Sequence, residues 1–475
     1  MNWIDLSIFS TYLLAMLGVG VFFLRKNKNT DDYYVGGRKL NSLHIGLSVV
    51  ATDVGGGFSI GLGGLGFTMG LSGSWLLFTG LLGAWLSGVF LIPKVAGLAR
   101  RKGFLSFPQF LEFIFDKRVA LIAGVISAIG YLGFTSSQIL AGAKLAASTF
   151  NGLTIQNALL VMGIIAIVYT VLGGLKAVIY TDTIQWIILM TGLIFVSLPF
   201  AYSKIGGIET ITETVAPEFL SLRSVSWQQI VNWMFTIIPI WFIGMTLYQR
   251  IYASKNTRTA QKGWFIAGLF EYPLMAFIGV ILGMFARVAM ENQLLPGYNA
   301  ANLDAEMGLP VLLKTILPVG FMGIVLSAYF SAIMSTADSC LMAASGNILT
   351  DVLRKHNSKN SLRFSQVLTL IIGTIALLLA LKMTSVLELM LHSYSFMVSG
   401  MIVPVLAALF TKRPSSAAAF FSMITGGTVT ITLLILNKKL PLGLDPNIFG
   451  ILASLIIYVV VYFRKEFQIS FTEII

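Results

Sequence analysis

Residues 333–350, IMSTADSCLMAASGNILT, set Ser335, Thr336, Asp338 and Ser339 into an otherwise apolar helix. Oxygen-bearing side chains in such a segment are costly unless they serve an ion, a solute or a proton. Ala332, Ser335 and Thr336 stand at i, i+3 and i+4 and therefore share one face. Two hydroxyls beside a carbonyl offer neutral oxygens, which suit a weakly hydrated monovalent cation better than Mg²⁺ or Zn²⁺. If opened backbone at Ala51 and Val54 meets this face, a five-oxygen cage results. The same hydroxyls can also return to the i−4 carbonyl and simply pack small. Asp338 and Ser339 continue the pattern on an adjoining face.

Other acids lie in apolar runs. Asp53 precedes Gly55, Gly56 and Gly57, and three adjacent glycines weaken a helix interior by about 1 kcal/mol each relative to alanine. The helix is expected to open there, as the discontinuous helices of secondary transporters do; a glycine face for tight packing is the plainer reading. Asp182, in KAVIYTDTIQW, reads either as a buried acid for a cation or proton, or as a helix-terminal acid screened by Lys176. Glu271 is expected to be solvated or cation-paired near the inner end. Glu388 and His392, at i and i+4, read as a structural hydrogen bond. Cys340 is the only cysteine, which excludes an intrachain disulfide and a cysteine metal cluster.

The elements that position these residues are membrane helices. The chain of 475 residues is 56% hydrophobic and only 11% charged, a balance expected of an all-α integral membrane protein. Thirteen apolar segments are long enough to span a bilayer: 6–24, 41–68, 72–98, 119–147, 154–172, 177–201, 228–252, 263–288, 310–353, 364–381, 385–410, 417–436 and 446–463. Arg25, Lys26, Lys28, Arg38 and Lys39 follow the first, and Arg100, Arg101, Lys102, Lys117 and Arg118 follow the third. Arg250, Lys255, Arg258 and Lys262 lie after the seventh, and Arg354, Lys355, Lys359 and Arg363 after the ninth. The positive-inside rule puts these in the cytoplasm, with the N-terminus outside and the C-terminus inside a plasma (inner) membrane. The net charge of +12 is then a topology signal and gives no support for nucleic-acid binding. Lys144, Lys204 and Lys314 fall on the opposite side.

Pro239 and Gly244 make the seventh segment a second candidate for a broken helix. A set of five segments opening at the Gly-interrupted second and another opening at the seventh is the pattern of an inverted-repeat transporter. Ser399, Gly400 and Pro404 mark a possible bend in the eleventh.

Four motifs carry a resemblance. The chain is similar to the sodium/solute symporters through Tyr169-Thr170-Val171-Leu172-Gly173-Gly174-Leu175-Lys176-Ala177 with Val178, Thr181, Asp182 and Gln185. Tyr34-Val35-Gly36-Gly37-Arg38, Tyr248-Gln249-Arg250 and the MSTADS run add to it. The resemblance covers nearly the whole chain. It implies one transmembrane domain over 1–475: an extra first helix and basic loop (1–40), a LeuT-type core of two inverted five-helix repeats (41–411), and two peripheral helices with a tail (412–475). It also implies a Na⁺ site from Ala51, Val54, Ala332, Ser335 and Thr336. A second Na⁺ site would draw on Asp182, Asp338 and Ser339, although Asp338 stands where the sialic acid branch has serine. Asp53 has a counterpart in proline transporters, where serine stands at the position of Gly55. The solute would sit among Asp53, Phe58, Thr135, Gln138, Trp241, Met245 and Tyr394.

The expected function is Na⁺-coupled symport of a small organic solute by alternating access, with Asp53 favouring an amino acid, a betaine- or choline-like solute, or a vitamin-like one. No cofactor, nucleic acid or obligate protein partner is implied beyond Na⁺, solute and lipid. Proton coupling through Asp338 or Asp53 is the alternative within transport. An intramembrane enzyme using Asp53 and Asp182, or a membrane sensor, belongs to other classes; no catalytic signature or signalling domain accompanies either.

Overall fold

The computed structural model describes residues 2–26, 34–299, 302–355 and 361–472; the side chains at 17, 20, 23–26, 54, 57, 58, 172–177, 180 and 465–472 are outside the described set. The topology residues Lys28 and Lys359, and the side chains of Arg25, Lys26, Lys176, Val54 and Phe58, therefore lie outside the described residues. All long elements are helices, and their starts are set by side chains that accept otherwise orphaned backbone N–H groups. Asn41 caps Ser42–Met69, Asp116 caps Lys117–Thr149, Ser226 caps Trp227–Ile243, Asn256 caps Thr257–Leu269 and Ser385 caps Val386–Phe410.

Among the described residues, nine helices are long and apolar enough to cross a membrane, ten if the bent pair Trp227–Ile243 and Met245–Ala253 is one crossing. The sequence reading had thirteen. The expected first, second and fifth segments lie within the helices Trp3–Lys26, Ser42–Met69 and Ile155–Thr191, each of which includes side chains outside the described set. The expected ninth segment divides into Ala305–Ile316 and Phe321–Asn347, separated at Leu317 and Gly320. The stretch before Trp227 forms the short helices Gly207–Thr214 and Pro217–Leu220. The protein is a multi-pass membrane protein.

Phe321–Asn347 is the central post. Apart from a few residues in its first turn it is buried, and it packs against Ser42–Met69, Lys117–Thr149 and Ile155–Thr191. Trp3–Lys26 lies outside, against Ile155–Thr191 and the post. Ser416–Leu436 and Pro446–Thr472 pack on each other and on Val386–Phe410.

Both expected helix breaks occur, with one displaced. Ser42–Met69 leaves helical geometry at Gly55 (φ 8, ψ −163). The seventh segment bends by 41° at Gly244, whose ψ of 116 ends one helix before Met245 begins the next, whereas Pro239 stays inside the helix Trp227–Ile243. Tyr131 fixes this second break: its hydroxyl accepts from Thr246 N–H at 3.2 Å.

Candidate functional site

Gly55 brings the first broken helix onto the central post. A Cβ at 55 would overlap the Thr336 side chain, and one at Gly56 would strike Ile333 and lie 3.1 Å from Gln138 Oε1. Only hydrogen fits at the break. With the backbones this close, Thr336 Oγ1 lies 3.2 Å from Ala51 O and 3.1 Å from Ala332 O. Ser59 Oγ donates to the Gly55 carbonyl at 2.5 Å, satisfying one group freed by the break. Three of the five expected ion ligands therefore converge. Ser335, beside them, donates its hydroxyl to Asp182 Oδ1.

Asp182 is fully buried and is not the screened terminal acid of the alternative reading. Its Oδ2 accepts from Ser48 Oγ at 2.5 Å and lies 3.6 Å from Arg250 Nη2. Arg250 is equally buried and forms a hub, with Nη2 donating to Thr52 Oγ1 and to Ser339 Oγ, each at 2.7 Å. Its Nε donates to Ser48 Oγ at 3.3 Å and its Nη1 to Thr246 O at 3.3 Å. This corrects the sequence reading, which counted Arg250 among loop charges. Two buried ions need both mutual attraction and a full set of hydrogen bonds, and here the hydroxyls of two other helices, Ser48 and Thr52 on one and Ser335 and Ser339 on the other, provide them. Asp338 faces elsewhere, accepting from Thr170 Oγ1.

The expected solute residues separate into two groups. Asp53 is 7% exposed, and Tyr394 lies within electrostatic reach of Asp53, Tyr131 and Glu271. Trp241 is fully buried, packs edge-on to Trp264 and presses on Gly83. Gln138 reaches Gly56. By contrast Met245 turns away, its sulfur accepting from Phe107 N–H at 3.1 Å, and Thr135 returns its hydroxyl to Tyr131 O at 2.8 Å. Glu271 also departs from expectation. It is fully buried, ion-pairs with no Lys or Arg among the described residues, and its carboxyl adjoins that of Asp53.

A cavity of ≈ 400 Å³ is lined in part by Gly61, Gly64, Trp233, Glu306, His392 and Ser395. Glu306, which the sequence reading did not single out, joins three elements there. Its Oε2 meets Lys144 Nζ at 2.6 Å and accepts from Val386 N–H at 2.9 Å, while Oε1 accepts from Leu387 N–H at 2.9 Å and Ser385 Oγ at 3.1 Å. Lys144 also contacts Asp304 Oδ2 at 2.5 Å. An acid at a helix N-terminus complements the dipole, and Lys144, read from the sequence as an external charge, is buried here against it. His392 Nε2 stands 3.9 Å from Glu388 Oε1, too far for the expected hydrogen bond.

Known proteins share this architecture. The Vibrio parahaemolyticus sodium/glucose cotransporter is 27% identical over 96% of this chain and 90% of that protein. The Escherichia coli (strain K12) sodium/proline symporter is 28% identical over 89% and 86%. A substrate-bound outward-open structure of a Na⁺-coupled sialic acid symporter superposes with a TM-score of 0.80 at 21% identity, covering 97% of each chain, so the all-α LeuT-type fold of two inverted five-helix repeats is shared. The sodium:solute symporter family model matches residues 33–426, a span that holds both broken helices, the Arg250 hub and the central post, and the chain belongs to that family.

Proposed function

We propose that this Na⁺-coupled solute symporter imports an amino acid, a betaine- or choline-like solute, or a vitamin-like one by alternating access. The observation that carries the ion site is the convergence of Ala51 O, Ala332 O and Thr336 Oγ1 at the Gly55 break. A hydroxyl that gives its proton to a carboxylate keeps its lone pairs for a cation. Ser335, donating to Asp182, is thereby a fourth ligand, and the Val54 carbonyl is the fifth. The oxygens of Asp182 and Ser339 that a second Na⁺ would need are engaged by Arg250, which supports one Na⁺ per solute.

The solute reading rests on Asp53, with Trp241, Tyr394 and Gln138 around it and Phe58 on the same opened helix. A buried carboxylate favours a cationic group. Basic loops support an N-terminus outside and a C-terminus in the cytoplasm of the plasma (inner) membrane. The test is uptake of a compound panel into proteoliposomes with Na⁺, Li⁺ and H⁺ gradients imposed separately. Accumulation driven by Na⁺ alone supports the reading. Accumulation driven only by H⁺ would favour the second reading, in which buried Asp338, whose Oδ2 meets no hydrogen-bond partner, carries a proton.

A further inference from the structure

Glu271 sits where Thr257–Leu269 gives way to the wide turn Phe270–Met275, in which Tyr272 leaves helical geometry (φ −137, ψ 126) ahead of Pro273. That turn lays the side chain inward, against Asp53 on the first broken helix and against Gly80, where any Cβ would overlap Oε1. Three oxygens of the pair are buried and receive no hydrogen-bond donor from outside it: Asp53 Oδ2, Glu271 Oε1 and Glu271 Oε2. No lysine or arginine among the described residues ion-pairs with either acid, and Arg250 pairs with Asp182 instead. One turn beyond Gly80 on the same helix, Gly83 makes room for Trp241, whose buried indole N–H also lacks an acceptor.

Two adjoining carboxyls out of water need positive charge or a proton between them. A single proton shared between the two acids serves one oxygen of each and leaves the third orphaned. A primary ammonium brings one charge and three N–H donors, which matches the three orphan oxygens, and the Trp241 and Tyr394 rings can flank it. A quaternary ammonium brings charge without donors, and a sugar brings donors without charge.

We propose that the Asp53–Glu271 carboxyl pair receives the protonated amine of the transported solute, which makes this a carrier of solutes with N–H on the cationic nitrogen. The proposal rests on the symport reading above and narrows its solute class. Matched pairs test it: glycine against glycine betaine, ethanolamine against choline, and L-proline against its N,N-dimethyl betaine. D-glucose is the uncharged control. Full-length protein is assayed in detergent for thermal stabilisation by each compound with Na⁺, and in proteoliposomes for Na⁺-driven uptake.

The N–H member of at least one pair should bind and be taken up, with its quaternary partner weaker by about tenfold or more, the equivalent of one charge-assisted hydrogen bond. Glu271→Gln should weaken the N–H member by a similar factor while stabilisation by Na⁺ alone is kept. If Glu271→Gln loses the Na⁺ response and so reports misfolding, Glu271→Asp keeps the charge, withdraws the carboxyl by one methylene and should still weaken the amine. Equal or tighter binding of the quaternary members, failure of every N–H member to bind, or an unchanged amine affinity in a folded Glu271 variant overturns the proposal. Na⁺-driven uptake of glucose or a quaternary compound alone would overturn it while leaving symport intact, whereas absence of Na⁺-driven uptake for every compound would remove the symport reading itself.

Discussion

Gly55 and Thr336 are in contact across the proposed ion site, the α-hydrogen of one occupying the space in which a methyl would overlap the hydroxyl of the other. The ligand geometry is thus fixed by a backbone as much as by side chains. Gly55→Ala adds a Cβ that would overlap the Thr336 hydroxyl and its Cβ. We expect it to push the broken helix from the post and to raise the Na⁺ concentration for half-maximal uptake by about tenfold or more, a loss of roughly one charge-assisted hydrogen bond. Na⁺ titration of uptake in proteoliposomes checks this, and an unaltered midpoint would mean that the contact does not shape the site.

Ser335 and Thr336 supply the two hydroxyls. Replacing both with alanine removes ligands without adding bulk, so expression and melting behaviour should change little while the Na⁺ dependence shifts strongly upward. Unchanged Na⁺ dependence in a well-expressed double variant sinks the proposed site.

Arg250 and Asp182 hold each other in a fully buried hub. Removing either ion alone leaves its partner uncompensated, at a cost of about 3–5 kcal/mol. Arg250→Met should therefore lower the melting temperature sharply, and Arg250→Met combined with Asp182→Asn should recover part of that loss. Because the guanidinium supplies the charge at this position, the Hill coefficient for Na⁺ in the unmodified protein should be near one. A coefficient approaching two, lost in Asp182→Asn, contradicts the single-ion assignment.

Glu306 ties Lys144 to the first turn of Val386–Phe410 at the mouth of the cavity. Glu306→Gln keeps the shape and weakens the tie by about 1–3 kcal/mol, the scale of a hydrogen bond to a charged group. The expected outcome is faster modification by membrane-impermeant thiol reagents of a cysteine placed at Ser395, on the cavity wall. Equal rates would show that the tie does not restrain the mouth.

The residues differ in how far sequence alone reveals them. Ser335, Thr336 and the Gly55 break are legible because the hydroxyls share a helical face and glycines mark where a helix opens. Pro239 misleads for a local reason: the helix continues through it and yields at Gly244. Arg250 reads as a loop charge because it ends an apolar run, and its partners Ser48, Thr52, Asp182 and Ser339 come from three distant stretches that no local pattern connects. Glu271 and Lys144 are opaque for the same reason. Met245 was placed in the solute site by analogy, yet the turn after Gly244 points its sulfur to Phe107.

The Arg250 hub also bears on how the protein is made. An unpaired arginine buried among membrane helices resists entry into lipid. Synthesis runs from the N-terminus, so Ser48, Thr52 and Asp182 emerge before Arg250 does, and only Ser339 arrives afterwards. The acceptors are already threaded into the bilayer when the guanidinium leaves the ribosome, and the chain order itself acts as a chaperone for its most awkward residue.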